Sequence, residues 1–289
     1  MWRKLTSSEG GRGWLMISPP FFYAMALMAV PLGAIILFSF WTQDFMSVDP
    51  TFTLNNYREI ADKPIYTALL QRSLYVSGCV TLVTVLLAFP VAYYVSFHVR
   101  PERKSLWLFL ITIPFWTSYL IRVFLWKVIL GYNGVINAGL INIGLIEEPL
   151  TFILYNVNAV IITLAHAFAP FAILPIFVAL EKIDRSLLEA AQDLGENKVM
   201  TFFRVTLPLA MPGVVAAVLI VFIPTIGDYV TPELMGGAGG KLIANMIQTQ
   251  FLALNNAPLG AALAVVAMVS VSAIALFFVL LNRRWLRGR

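Results

Sequence analysis

The chain has few charged residues for its length. Only 12% of its 289 residues are Asp, Glu, Lys or Arg, whereas 60% are hydrophobic and the mean hydropathy is +0.82. Soluble domains carry about 25% charged residues, so this composition excludes a soluble globular protein and predicts an all-α, polytopic membrane protein. No polar block is long enough for a separate soluble domain, so we expect one membrane domain over residues 1–289.

Cysteine and histidine are nearly absent. The single cysteine, Cys79, lies in an apolar run and cannot form an internal disulfide. His98 and His166 fall in separate apolar runs without the spacing of metal ligands, and we interpret both as structural residues. The sequence therefore predicts neither a metal site nor a bound cofactor.

Signatures of catalysis and of nucleotide or nucleic-acid binding are also missing. The Gly240-Lys241 pair does not belong to a phosphate-binding loop, because Met235 stands at the first glycine position and Leu242 replaces the required Ser or Thr. The sequence contains no nucleophile motif, and no basic and aromatic pattern typical of nucleic-acid binding. We expect a chain that is not an enzyme, does not hydrolyse ATP and does not bind nucleic acid.

Six apolar runs are long enough to suggest membrane spans. The first is too long for a signal-peptide core and has no small-residue cleavage site, so we expect an uncleaved helix. The predicted spans are residues 17–41, 73–97, 106–130, 152–180, 213–227 and 257–281. Prolines inside them predict kinks, as expected of a bundle that moves or lines a cavity, although ordinary packing would also tolerate such kinks. These prolines are Pro31, Pro90, Pro114, Pro170, Pro175 and Pro224.

The distribution of Lys and Arg predicts the orientation. Both termini and the segments that follow the second and fourth spans hold most of the positive charges outside the apolar runs. The alternate segments hold only Arg58, Lys63, Arg72 and Lys241. Positive charge accumulates on the cytoplasmic side of a membrane. We therefore expect both termini, and the polar segment between the fourth and fifth spans, to be cytoplasmic.

That polar segment, residues 186–208, interrupts the apolar second half of the chain. Ser186 and Glu189 have the spacing of a capping box, which predicts a helix start. Gly195 predicts its end, Asn197 is suited to cap a second short helix, and Pro208 is expected to stop that helix. Many apolar residues accompany this pattern, so we expect the segment to insert into a partner's groove.

The segment resembles the EAA loop of permeases from ATP-binding-cassette (ABC) importers. The resemblance implies a cytoplasmic loop at about residues 181–212 that docks on a separate ATPase subunit and transmits its motion. Its spacing is that of the family: EAA, three residues, Gly, nine residues and then Ile-x-Leu-Pro, in which Val205 replaces the family's Ile. The matching residues are Glu189, Ala190, Ala191, Gly195, Leu207 and Pro208.

Further motifs resemble the spermidine/putrescine permease branch, in its PotB-type rather than its PotC-type subunit. The resemblance implies a bacterial inner-membrane assembly of two permeases, the second PotC-type, with two ATPases and an extracytoplasmic solute-binding protein. Permeases for iron, sulfate and other small solutes share this scaffold and remain alternatives. The motifs are LNNY at 54–57, PFWTS at 114–118, IR at 121–122, NGVIN at 133–137, LP at 174–175 and PELMGG at 232–237.

The predicted fifth span suggests a solute path because it is short. About 15 residues make ~22 Å of helix, whereas the hydrocarbon core is ~30 Å thick. The chain should therefore continue through Asp228, Tyr229 and Glu233 within or near the membrane, where irregular backbone survives beside protein or water. The carboxylates of Asp228 and Glu233, with the aromatic faces of Trp116 and Tyr119, are suited to bind an ammonium group.

Arg122 in the third span complicates a path for cations. A buried, unpaired guanidinium is costly, so we expect it to pair with Asp228 or Glu233, or with backbone carbonyls at a helix break. In the first case the acids would serve only to neutralise Arg122, whereas an unneutralised Arg122 would favour an anion. Lys127 lies nearer the end of the span and is expected to reach the outer surface.

Two other classes of function remain. A secondary transporter would need no ATPase and would be coupled by acids within the membrane. The Gly-hinged polar segment and the lack of an internal repeat argue against it. A membrane-embedded enzyme would need polar residues gathered at one depth, and the sequence gives no such pattern.

Overall fold

The structure is a computed structural model that describes residues 9–45 and 47–283, with side chains from residue 13 onward. Within this part the regular secondary structure is helical except for one two-stranded hairpin, in agreement with the predicted all-α class. The strands are β1 (Thr42–Asp44) and β2 (Ser47–Asp49), paired antiparallel with Gln43 opposite Val48. The helices are α1 (Glu9–Phe38), α2 (Asn55–Asp62), α3 (Pro64–Phe97), α4 (Pro101–Thr112), α5 (Tyr119–Ile129), α6 (Val135–Asn142), α7 (Val157–Glu181), α8 (Arg185–Asp193), α9 (Lys198–Thr201), α10 (Leu207–Ile226), α11 (Val230–Met235), α12 (Ile243–Leu252) and α13 (Ala257–Leu281).

The chain divides into two compact units. The first unit consists of two chain segments, the residues up to Lys63 and Thr249–Val266. The second consists of Pro64–Gln248 and the residues from Ala267 onward. In the first unit, the side-chain amide of Asn56 donates to the carbonyls of Ser39 and Trp41. Tyr57 forms a hydrogen bond with the Ser39 hydroxyl at 2.7 Å. The LNNY motif thus fixes the start of α2 against the end of α1.

The core of the second unit is formed by α3, α7 and α10, each of which packs against the other two. Buried aliphatic side chains fill the space between these three helices, among them Val76, Val80, Leu164, Ile176, Leu180, Ala217 and Val221. Gly213 lets α10 approach α7 closely, since an added Cβ would lie 2.5 Å from both the Cβ of Ala179 and the carbonyl oxygen of Pro175. Small residues allow such backbone approach in membrane bundles, where packing replaces the hydrophobic effect.

Within the described residues, five helical segments are long and apolar enough to cross a membrane. A sixth span results if the segments Pro101–Trp116 and Tyr119–Ile129, bent by 89° at their break, are taken together. The predicted third span is therefore broken rather than continuous. Ile113–Trp116 forms a 3₁₀ turn that contains Pro114, and Thr117 is extended, because proline has no N–H with which to continue the helix.

The prediction of a short fifth span is wrong. The helical segment runs from Lys198 to Ile226, 29 residues in all, which makes ~43 Å of helix and exceeds the ~30 Å hydrocarbon core. Its first turns belong to residues 198–208, for which the sequence predicts a separate polar element. Span length therefore gives no reason for Asp228 to lie at membrane depth.

The close approach at Gly213 leads to a test of stability. Replacing Gly213 with Ala should destabilise the chain by about 1–3 kcal/mol, since the new methyl group meets a backbone carbonyl that cannot rotate away. Thermal unfolding of the detergent-solubilised protein measures the change. Gly78→Ala in α3 is the matched control, because an added Cβ there has no atom within 4 Å. Equal melting temperatures for the two variants would contradict this account of the α7–α10 contact.

Candidate functional site

The segment that resembles an EAA loop begins with a cap different from the one expected. Asp184 is the N-cap of α8, and its Oδ1 accepts a hydrogen bond from the Ser186 N–H at 3.0 Å. Hydrogen bonds from Ser186 lower the pKa of the Asp184 carboxyl. The predicted capping box is wrong, since Ser186 lies inside the helix and Glu189 is free of any capping role.

The end of α8 agrees with the prediction at Gly195. This residue has a positive φ of +90°. Its N–H donates to the Gln192 carbonyl, and the next N–H, of Glu196, donates to the Ala191 carbonyl at 3.1 Å. These two bonds form a Schellman motif, the arrangement in which glycine ends a helix at least cost. Gly195 therefore sets the angle at which the chain leaves α8.

The surface of this segment is apolar and open. Leu194 is 87% exposed, and Leu187, Val199 and Phe203 are exposed as well. Glu189 and Ala190 are exposed, whereas Ala191 is half-buried. Exposed apolar groups rimmed by polar residues mark an interaction surface. We call residues 185–208 the coupling segment.

The coupling segment continues into α10 without a stop. Asn197 caps α9 by accepting from the Met200 N–H at 2.8 Å, as predicted. Phe202–Thr206 then forms one π-helical turn that leads into α10, so Pro208 lies in the first turn of that helix and does not end the segment. The wider turn and the position in a first turn accommodate a residue without an N–H. The predicted stop at Pro208 is wrong.

Phe202 anchors the coupling segment to α3. Its ring lies edge-on to Phe89 at 5.6 Å and to Tyr93 at 5.8 Å between centroids. Leu207 and Pro208 are half-buried at the start of α10. The apolar side chains of the coupling segment thus form two sets. One set packs against the helical bundle, and the other is exposed.

The second set of predicted residues lies at the break between α10 and α11. The Tyr119 hydroxyl donates to Oδ2 of Asp228 at 2.9 Å and bonds with Thr231 Oγ1 at 2.6 Å. Oδ1 of Asp228 accepts from the Val230 N–H. The structure thus brings Tyr119 and Asp228 together, although 109 positions separate them. The half-buried carboxylate of Asp228 thus links the break between α10 and α11 to the break before α5.

Arg122 has the third of its predicted partners, a backbone carbonyl at a helix break. Its Nη2 donates to the Thr117 carbonyl at 3.2 Å, and its guanidinium lies 5.7 Å from the Phe115 ring centroid. The side chain is buried, and its Nε has no hydrogen-bond partner among the described residues. In that part of the chain no ion pair joins Arg122 to Asp228 or Glu233.

The remaining residues of the predicted path do not gather around Asp228. Glu233 is exposed, and its Oε2 accepts from the side-chain amide of Asn245 at 3.1 Å. The same amide donates to the Tyr229 carbonyl, while the Tyr229 ring is exposed. Trp116 is 79% exposed and its ring lies edge-on to Phe109. At the far end of α5, Lys127 lies over the Tyr155 ring.

Sequence reasoning did not identify Asn245, whose side chain stabilises the chain at the break between α10 and α11. It is buried, and besides its two amide bonds its Oδ1 accepts from the Leu242 N–H at 3.0 Å. The sequence feature that could have identified Asn245 is its position, two residues after the start of a helix that follows a glycine-rich turn. The structure therefore holds Tyr229 and Glu233 by a side chain of α12.

The chain matches the family model described as binding-protein-dependent transport system inner membrane component over residues 15–287. It is 39% identical over 246 residues to the spermidine/putrescine transport system permease protein PotB of Haemophilus influenzae, covering 85% of each chain. The protein of that name in Escherichia coli is 39% identical over 251 residues, which cover 86% of this chain and 87% of its own.

A solved structure supports the fold. The bacterial alginate ABC transporter, in complex with an alginate pentasaccharide-bound periplasmic protein, contains a chain that superposes with a TM-score of 0.75 at 18% identity. The match covers 100% of this chain and 99% of the other. At this identity the similarity concerns the fold alone, and it confirms the predicted all-α architecture.

Proposed function

We propose, because this chain belongs to the family of binding-protein-dependent transport system inner membrane components, that it is the permease subunit of a spermidine/putrescine importer. The identity to PotB proteins over most of both chains carries the choice of solute. A permease contributes no covalent chemistry, and the energy comes from ATP hydrolysed in a separate subunit.

The proposed assembly contains two permeases, the second of PotC type, with two ATPases and an extracytoplasmic binding protein. The structural relative from the alginate transporter was solved with a periplasmic protein, which supports the last of these partners. The distribution of Lys and Arg supports cytoplasmic termini and a cytoplasmic coupling segment. That side of the membrane is where ATP is available.

The coupling segment is proposed to dock on the ATPase through its open surface. Leu194, Val199 and Phe203 would enter a groove of the ATPase, with Glu189 at the rim. Since α10 continues directly from this segment, movement of the ATPase would displace α10 and, through the Gly213 contact, α7. Alternating access then follows from a rigid-body shift of the helices.

Gly195 provides the first test of this coupling. Gly195→Asp should abolish ATP-dependent spermidine uptake while leaving the protein in the membrane, because a side chain at φ +90° costs about 1–2 kcal/mol and changes the turn. Gly144→Asp is the matched control, since Gly144 also has positive φ and open space but lies outside the coupling segment. Normal uptake by Gly195→Asp would contradict the proposal, as would equal loss in the control.

Asp228 is the residue we propose to meet the solute. Its carboxylate is half-buried at a break between helices and accepts only from Tyr119 and Val230 among the described residues, so an oxygen lone pair remains for an ammonium group. The Tyr119 hydroxyl orients it. Glu233, which is exposed, would meet the solute earlier on its way inward.

Arg122 supports a second candidate, a permease for an anion. Its guanidinium is buried with Nε free of a partner in the described chain. An uncompensated positive charge beside the path would repel a polyamine. The Thr117 carbonyl and the Phe115 ring offset part of that charge, and we therefore prefer the polyamine.

Uptake by two variants distinguishes these solutes. Asp228→Asn keeps an acceptor for Tyr119 but removes the charge, and should lower spermidine uptake at limiting solute by about 10-fold or more. Glu233→Gln should have a smaller effect. Asp62→Asn, at an exposed acid of α2, is the control, and ATPase activity and assembly should stay normal in all three. Unchanged spermidine uptake in both path variants would exclude the cation path.

A further inference from the structure

Glu181, the last residue of α7, is contacted by polar side chains of three other helices. Its Oε1 accepts from Lys104 Nζ of α4 at 2.7 Å and from Ser96 Oγ of α3 at 2.6 Å. The same oxygen lies 3.7 Å from Nη2 of Arg185, the first residue of α8. A single carboxylate oxygen therefore joins the ends of α3, α4 and α7 to the start of the coupling segment.

Arg185 adds two more contacts to the same place. Its Nη2 donates to the Ser96 carbonyl at 2.9 Å, and its guanidinium carbon lies 3.9 Å from the centroid of the Phe97 ring. A planar guanidinium can stack on an aromatic face and donate from its edge at the same time. The start of α8 is thus fixed against the end of α3. We call Ser96, Phe97, Lys104, Glu181 and Arg185 the Glu181 cluster.

The positions of the two opposite charges are unfavourable for their own helices. Glu181 lies at the C-terminal end of α7 and Arg185 at the N-terminal end of α8, whereas helix dipoles favour a cation at the former and an anion at the latter. Each charge is therefore compensated by groups of other helices. The Glu181 cluster fixes how the helices are placed relative to one another rather than stabilising one helix.

The chain between these two residues is short and leaves little slack. Lys182, Ile183 and Asp184 separate α7 from α8. Ile183 is buried, and Asp184 caps α8. A displacement of α8 must therefore move the end of α7 or break the contacts of Arg185.

The side chains of Glu181 and Arg185 are 32% and 44% exposed. Ion pairs with this access to solvent contribute little to stability, typically about 0–1 kcal/mol. Loss of the Glu181 carboxylate should therefore affect the transmission of movement more than the unfolding of the chain. This difference separates a positioning role from a purely structural one.

We propose that Glu181 is a positioning residue that transmits displacement of the coupling segment to α3, α4 and α7 together. The inference rests on the proposed function, since it needs an ATPase that moves α8. It complements the direct path through α10, because neither α3 nor α4 adjoins the coupling segment in the chain. Without Glu181 the ATPase would hydrolyse ATP while moving only part of the bundle.

The test uses the full complex with its ATPase, second permease and binding protein in proteoliposomes, with spermidine as the probe. Glu181→Gln should lower the spermidine imported per ATP hydrolysed by about 10-fold, within the range of coupling effects between sites. Its melting temperature should stay close to that of the unmodified complex. Glu59→Gln, which breaks the exposed pair with Lys63 in α2, should leave the ratio unchanged.

A double variant tests whether the cluster acts as a unit. Glu181→Gln combined with Arg185→Gln should be no worse than the poorer single variant, because both substitutions disrupt the same connection. If Glu181→Gln does not assemble, Ser96→Ala removes one donor without changing the charge and should lower the ratio several-fold. An unchanged ratio in whichever variant assembles overturns the inference. If the unmodified complex imports no spermidine with ATP, it is the proposed function that fails.

Discussion

The close packing of α7 against α3 and α10 is the constraint on which the rest of the structure depends. It requires small residues at the contact, such as Gly213, where an added Cβ would lie 2.5 Å from Ala179 and from Pro175. Because lipid is as apolar as these side chains, close packing rather than exclusion of water holds the helices together. The features proposed to be functional adjoin this core: Glu181 ends α7, the coupling segment leads into α10, and Asp228 follows the other end of α10.

The two helix breaks follow one physical rule. A backbone group freed by a break in an apolar environment needs another partner, and here polar side chains provide it. Arg122 donates to the Thr117 carbonyl at the bend before α5, and Asp228 accepts from the Val230 N–H at the start of α11. Tyr119 connects these breaks by donating to Asp228. Asp228, which partners the backbone at the second break, is therefore also the residue proposed to meet the solute, and its bond with Tyr119 links the two breaks.

Local features were predictable from sequence, whereas contacts between distant residues were not. The last span agrees with α13 in both bounds, and α8 ends as Gly195 predicted, because apolar run length and glycine conformation are local properties. The stop at Pro208 failed because a π-helical turn absorbs the missing N–H. The predicted capping box at Ser186 is wrong because Asp184, two positions earlier, is the N-cap of α8. No local pattern could pair Tyr119 with Asp228 or bring Lys104 to Glu181, since packing alone joins them.

The central claim is that the coupling segment contacts a separate ATPase and passes its motion to the α7 core. Cross-linking tests this contact directly, with Cys79 replaced by Ser and a short cysteine-to-lysine reagent applied to membranes that contain the whole complex. Leu194→Cys, at the most exposed apolar position of the coupling segment, should give a covalent adduct with the ATPase. Leu145→Cys, at an exposed leucine beyond α6, should give none. No ATPase adduct from Leu194→Cys, or equal adducts from both positions, would contradict the account.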